Sequence, residues 1–179
     1  MSRILFSENQ RFTQVWLVVV MIVSNLTVAV PLGWGFYVQI ITGEPWGNNP
    51  MSDMGLIIVI LLSFSMMAII NMIIFGAKLE VQIKDNSVYY KYFPFIPNWK
   101  YVHKDNIANY EMKQFKAIKD YGGYGYRKNF FKKLTGLIIK GNHGLLLTFH
   151  DDRKLMIGTQ QPEAMKQAMQ RIMEKDTDY

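Results

Sequence analysis

Residues Gly55 to Phe93 read GLIIVILLSFSMMAIINMIIFGAKLEVQIKDNSVYYKYF, and the fold turns on the change of pattern at Ala77. Before it, no charge occurs back to Asp53, and about 20 apolar residues suffice to cross a bilayer as helix. After it, Leu79-Glu80-Val81-Gln82-Ile83-Lys84 alternates apolar and polar. That period of two predicts a strand with one face buried. Asp85-Asn86 predicts a two-residue turn, and Ser87 to Phe93 an aromatic-rich partner strand. A membrane helix is therefore expected to run directly into a β-hairpin.

The same absence of charge holds further upstream, between Arg11 and Glu44. Its apolar core, Val15 to Ile41, reaches ~40 Å at ~1.5 Å per residue, longer than a hydrocarbon layer of ~30 Å. Such a helix tilts, kinks or projects beyond the membrane. Pro31, followed by Gly33 and Gly35, is the expected kink, because proline removes a backbone donor and crowds the preceding turn. Trp16 near one end and Trp34, Tyr37 and Trp46 toward the other fit interfacial aromatic belts. The run is too long for a signal peptide and has no clear small-residue cleavage site, so an uncleaved span is expected. Two transmembrane helices are thus expected at about residues 13–41 and 54–77, within a first part spanning 1–78, with residues 79–179 as a second, cytoplasmic part. Of the 20 Lys and Arg, all but Arg3 and Arg11 follow the second run, and none lies between the runs. The positive-inside bias places both termini in the cytoplasm and the short loop outside.

The whole chain has 179 residues, half of them hydrophobic, and no Cys. Those figures exclude a purely soluble protein, a disulfide scaffold and a Cys-based metal or redox site. Within the runs the polar residues are Ser24, Asn25, Thr27, Gln39, Ser63, Ser65 and Asn71, with no ionisable group. Ion and proton paths nearly always need one, so transport is disfavoured. Asn25 and Asn71 are expected to hydrogen-bond between helices or to a partner.

Beyond Phe93, Pro94 and Pro97 are expected to break the strand. Trp99–His103, Ile107–Lys113, Leu137–Lys140, Leu145–Phe149 and Lys154–Gly158 are the next five strands expected. Gly141 to Gly144 should turn the fifth strand of the set into the sixth, and Asp151-Asp152 the sixth into the seventh. The pattern then becomes helical. Pro162 suits a first turn, with Glu163 favoured there by the helix dipole. Ala164, Met165, Ala168, Met169, Ile172 and Met173 form an apolar stripe, with Lys166, Gln167, Gln170, Arg171 and Lys175 opposite. That stripe is core packing. The expected class is an α+β membrane protein: a two-helix hairpin, then a seven-stranded antiparallel β-barrel or sandwich capped by a C-terminal helix.

Seven strands followed by a helix resemble a bacterial pleckstrin-homology-like domain. Tyr121-Gly122-Gly123-Tyr124-Gly125-Tyr126-Arg127, followed by Ile157-Gly158-Thr159-Gln160-Gln161-Pro162-Glu163, is similar to paired motifs in an uncharacterised family of small bacterial membrane proteins. Those proteins carry two transmembrane helices before a pleckstrin-homology-like domain. The resemblance covers nearly the whole chain and implies that fold, in a bacterial inner membrane, as a multi-pass protein.

Catalysis has little to stand on. The nucleophile would have to be Ser or Thr, yet no Ser follows Ser87. His103, His143 and His150 are scattered, and the contiguous His150-Asp151-Asp152 suits a turn better than a metal site. The three glycines of the Tyr121–Arg127 motif lack the strand, helix and Lys-Ser/Thr of a phosphate-binding loop. No enzyme activity, cofactor or metal is expected. The informative stretch is Lys113 to Lys133. It interleaves Lys113, Lys116, Lys119, Arg127, Lys128, Lys132 and Lys133 with Phe115, Tyr121, Tyr124, Tyr126, Phe130 and Phe131, against the single acid Asp120. Next to a membrane, such a segment serves as a topology signal, docks a protein, or meets anionic headgroups at about 1 kcal/mol per cation. Nucleic acid is not expected. Arg127, Lys128, Lys132 and Lys133 are the candidate contacts to lipid headgroups or a partner. The leading expectation is a non-enzymatic module for protein interaction or assembly, as a homo-oligomer or with other membrane-protein subunits. The alternative is an anionic-lipid sensor.

Overall fold

A computed structural model describes residues 3–174. The chain divides into two compact units, one of residues 13–75 and one of residues 1–12 with 76–179.

The first unit is helical. Helix α1 covers Val15–Phe36 and continues as a π-helical segment, Tyr37–Ile41; helix α2 covers Asp53–Gly76. Both are long and apolar enough to cross a membrane. Leu61, Leu62, Ile69 and Met72 each remain more than half exposed, which is unlike the core helix of a water-soluble protein. Helix α1 continues through Pro31, and a π-helical turn follows it, where the Thr42 N–H reaches the Tyr37 carbonyl at 3.1 Å, an i to i+5 bond. Gln39 follows from that widened turn. Its side-chain amide donates to the Met51 carbonyl at 2.7 Å and to Asp53 Oδ1 at 2.8 Å, tying the end of one helix to the start of the next. The Trp46 ring packs onto Gly35, where a Cβ would lie 2.5 Å from it. Asn25 and Asn71 exchange amide hydrogen bonds at 3.2 Å, the expected interhelical pair.

Among the described residues the second unit holds nine strands in two sheets, and it is not a closed barrel. The four-stranded sheet is antiparallel, in the order β1 (Phe6–Arg11), β2 (Lys78–Lys84), β3 (Ser87–Phe93) and β4 (Ile96–His103). Strand β1 belongs to the segment that sequence grouped with the helices. It pairs with β2 from Phe6↔Ile83 to Arg11↔Lys78. Strand β4 begins before Pro97 rather than after it, because β4 is an edge strand where a missing N–H is tolerated.

The five-stranded sheet runs β5 (Ile107–Gln114), β8 (His143–Phe149), β9 (Lys154–Thr159), β7 (Leu134–Ile138) and β6 (Gly125–Asn129). The expected all-antiparallel order does not hold, since β7 pairs with β9 in parallel. Gly141 to Gly144 does not close a β7–β8 hairpin; the β8–β9 hairpin folds back and inserts β9 between them. Besides β1, strand β6 and the short helix α3 (Ala117–Tyr121) were not expected.

One core joins both sheets to helix α4 (Pro162–Glu174). Leu79, Val81 and Ile83 enter it from β2, Leu145 and Leu147 from β8, and Met165, Met169 and Ile172 from α4. Ala164, at the edge of the predicted stripe, is exposed, and Lys175 lies outside the described residues. The β2–β3 turn is the predicted Asp85-Asn86, with φ of 50° and 57°. Positive φ at both central residues is what a type I′ hairpin requires. Asn86→Val should cost about 1–2 kcal/mol, the penalty of a β-branched residue in the left-handed region, read as a lower unfolding midpoint of the detergent-solubilised chain. Asn86→Gly should not.

Candidate functional site

The two sequence motifs act first as structure. Tyr121 closes α3, and Gly122 caps it at φ 75°, a backbone that side chains with a Cβ resist. The Arg127 side chain then reaches back, donating from Nε to the Tyr124 carbonyl at 3.2 Å. The second motif ends β9 and starts α4. Here the buried Glu8 carboxylate of β1 accepts from the Thr159 hydroxyl at 2.5 Å and the Gln160 N–H at 2.9 Å. Gln10, also buried, donates to the Gly158 carbonyl at 2.7 Å. The β9–α4 junction is thus held by the strand that precedes the first long apolar helix.

The chemistry gathers where the two sheets leave a gap. A groove of about 520 Å³ lies between them. From the four-stranded sheet come Tyr90, Ile96 and Lys100; from the other come Tyr126, Lys128, Thr135, Phe149, Lys154 and Leu155. The register explains the set. Lys128 lies opposite Thr135 across β6–β7, and Thr135 opposite Leu155 across β7–β9. Residues directly opposite share a face, so Lys128 shares its face with the core residue Leu155. Lys100 lies opposite Tyr90 across β3–β4. The turn residues Lys133 and Arg153 complete the mouth.

Five cations therefore line the groove against one acid, Asp151. That acid is already engaged: it accepts from the Arg153 backbone N–H at 3.1 Å and from Arg153 Nε at 2.6 Å. The backbone hydrogen bond foremost, with the guanidinium beside it, holds the Asp151 carboxyl below its usual range. Among the described residues, Lys100, Lys128, Lys133 and Lys154 have no carboxylate partner. Burial, with Tyr126 nearby, raises Tyr90 above the usual phenol range, so its hydroxyl stays protonated and able to donate.

The four cations picked from sequence divide between two surfaces. Lys133 lines the groove with Lys100, Arg153 and Lys154, and Lys128 lines both surfaces. Arg127 and Lys132 line a second depression with Lys119 and Phe131, and Arg127 is partly spent on its own loop. Between the two surfaces, the β6–β7 turn presents Phe130, 75% exposed, and Phe131, fully exposed. Lys128 Nζ sits 4.7 Å from the Phe130 ring centroid. Lys100, Arg153 and Lys154 were missed because only the sheet pairing brings them together. Arg153-Lys154, directly after the Asp151-Asp152 turn, was the available signal.

Two of the three histidines meet at Asp105. His150 Nε2 lies 3.1 Å from the Asp105 carbonyl, and His103 Nδ1 3.1 Å from the Asp105 carboxylate. Among the described residues no three His, Cys, Asp or Glu side chains are grouped as a metal site. No family model matches the chain, and no curated protein or solved structure matches it either.

Proposed function

We propose that this chain is a two-span bacterial inner-membrane protein whose cytoplasmic β-unit is a non-enzymatic docking module, working in assembly as a homo-oligomer or an accessory subunit. The observation that carries this reading is the exposed Phe130–Phe131 turn set among lysines that, among the described residues, have no carboxylate partner. Two neighbouring exposed phenylalanines are an apolar liability that an interaction relieves. Topology is supported by the charge asymmetry and by the β1–β2 ladder. Because Arg11 pairs with Lys78, the chain enters α1 and leaves α2 at one place in one sheet, as a hairpin crossing twice must. The pleckstrin-homology-like reading is supported by two sheets sharing a core with a C-terminal helix; the parallel β7–β9 pair departs from it.

A second reading, contact with anionic lipid, is favoured by the short tether. Only Ala77 separates α2 from β2, which keeps the cations of the β-unit near headgroups. The assembly reading is tested by mass in mild detergent. The parent should exceed one 20.9 kDa chain, and Phe130→Ser with Phe131→Ser should return it to a monomer. A monomeric parent across several mild detergents, with nothing co-purifying, contradicts the proposal.

A further inference from the structure

We infer that the groove between the two sheets is a binding site for a phosphate-bearing anion, built from Lys100, Lys128, Lys133, Arg153 and Lys154. The inference rests on reading this edge as a binding surface, and it names the chemistry of the ligand. Three observations converge. The cations come from both sheets and from two turns yet face one cavity of about 520 Å³, so the field of each adds at the same place. The only acid present is held by Arg153 and does not neutralise the lysines. The walls are partly apolar, Ile96 and Leu155 below and the Tyr90, Tyr126 and Phe149 rings beside them, and low-dielectric walls focus the field of a cleft.

The shape of the charge selects the class of ligand. A carboxylate uses one or two donors, whereas a phosphate presents three or more oxygens to several cations at once. Arg153 supplies a planar fork and the lysines point charges, a combination suited to a tetrahedral anion. The protonated Tyr90 hydroxyl and Thr135 add neutral donors at the wall. The phosphate belongs either to a lipid headgroup, because the unit is tethered at a membrane, or to a soluble phosphate ester. Both offer the same group to the same cations.

The test uses the full chain in nanodiscs of pure phosphatidylcholine, titrated calorimetrically with sodium pyrophosphate, and a second preparation containing phosphatidylglycerol, examined for retained lipid by native mass spectrometry. We expect saturable pyrophosphate binding that weakens as salt rises. Lys100→Gln with Lys154→Gln should bind about thirtyfold more weakly, as loss of two cation contacts implies. Lys119→Gln with Lys132→Gln, on the other surface, should bind like the parent, which separates a defined site from general basicity. Phosphatidylglycerol retained by the parent, lost in the first pair and displaced by pyrophosphate assigns the headgroup as source; pyrophosphate binding without lipid retention assigns a soluble ester. The inference is overturned if the parent binds neither probe, or if both variant pairs lose binding equally while keeping the parent's unfolding midpoint. Mass measured on the same samples separates it from the assembly reading: an intact assembly that binds no anion overturns the inference alone, and anion binding by a monomer overturns the assembly reading alone.

Discussion

Glu8→Ala should destabilise the β-unit by about 3 kcal/mol, although Glu8 lies before the first long apolar helix and far in sequence from its partners. The carboxylate is buried and accepts from the Thr159 hydroxyl and the Gln160 N–H. Hydrogen bonds to a charged acceptor contribute about 1.5–3 kcal/mol each, and a buried donor left unmatched costs a further ~1–3 kcal/mol. Alanine removes both bonds at once and loosens the start of α4, where Thr159 also accepts from the Gln161 N–H at 3.0 Å. For a unit of this size the unfolding midpoint should fall by roughly 10–20 °C. Glu8→Gln keeps an acceptor oxygen and should lose only about 1 kcal/mol by the same reasoning. Equal stability of Glu8→Ala and the parent would mean that β1 does not close the unit.

Gly144→Ala should lower stability by about 2–3 kcal/mol through overpacking. A Cβ at Gly144 would lie 2.7 Å from the Ile157 carbonyl oxygen, 2.7 Å from Met156 Sδ and 3.1 Å from the Phe115 ring. The methionine can swing away. The carbonyl cannot, because Ile157 sits in β9 with β8 on one side and β7 on the other. The β8–β9 ladder would have to separate. An unfolding curve within about 0.5 kcal/mol of the parent, the range of an ordinary surface change, would show that this close approach does not exist.

Elements with an apolar period were legible, and those built on polar residues were not. Leu79, Val81 and Ile83 announce β2 because alternate side chains are buried, and the Met165, Met169 and Ile172 spacing announces α4. Strand β1 buries Phe6, Glu8 and Gln10 alternately, so its inward face reads as polar and its partners lie some 150 residues away in sequence. Strand β6 is an edge strand carrying Arg127 and Lys128, which is how sheet edges avoid unwanted pairing and why it resembles a loop. Gly144 read as a turn residue because glycine usually marks one, whereas here it makes room for a neighbouring strand. The candidate site was half legible. Lys128 and Lys133 stand in a basic run, but Lys100, Arg153 and Lys154 join them only through the gap between sheets, which strand counting toward a barrel or sandwich does not locate.

The central claim is that the two apolar helices form a membrane hairpin whose two ends meet in one cytoplasmic β-unit. Single cysteines test it directly, since the chain has none of its own. Asn49→Cys lies in the exposed loop between the helices and Lys166→Cys on the exposed face of α4. On intact cells expressing each variant, an impermeant thiol reagent should label Asn49→Cys and leave Lys166→Cys untouched until lysis. Labelling of Lys166→Cys on intact cells, or protection of Asn49→Cys until lysis, would contradict the account.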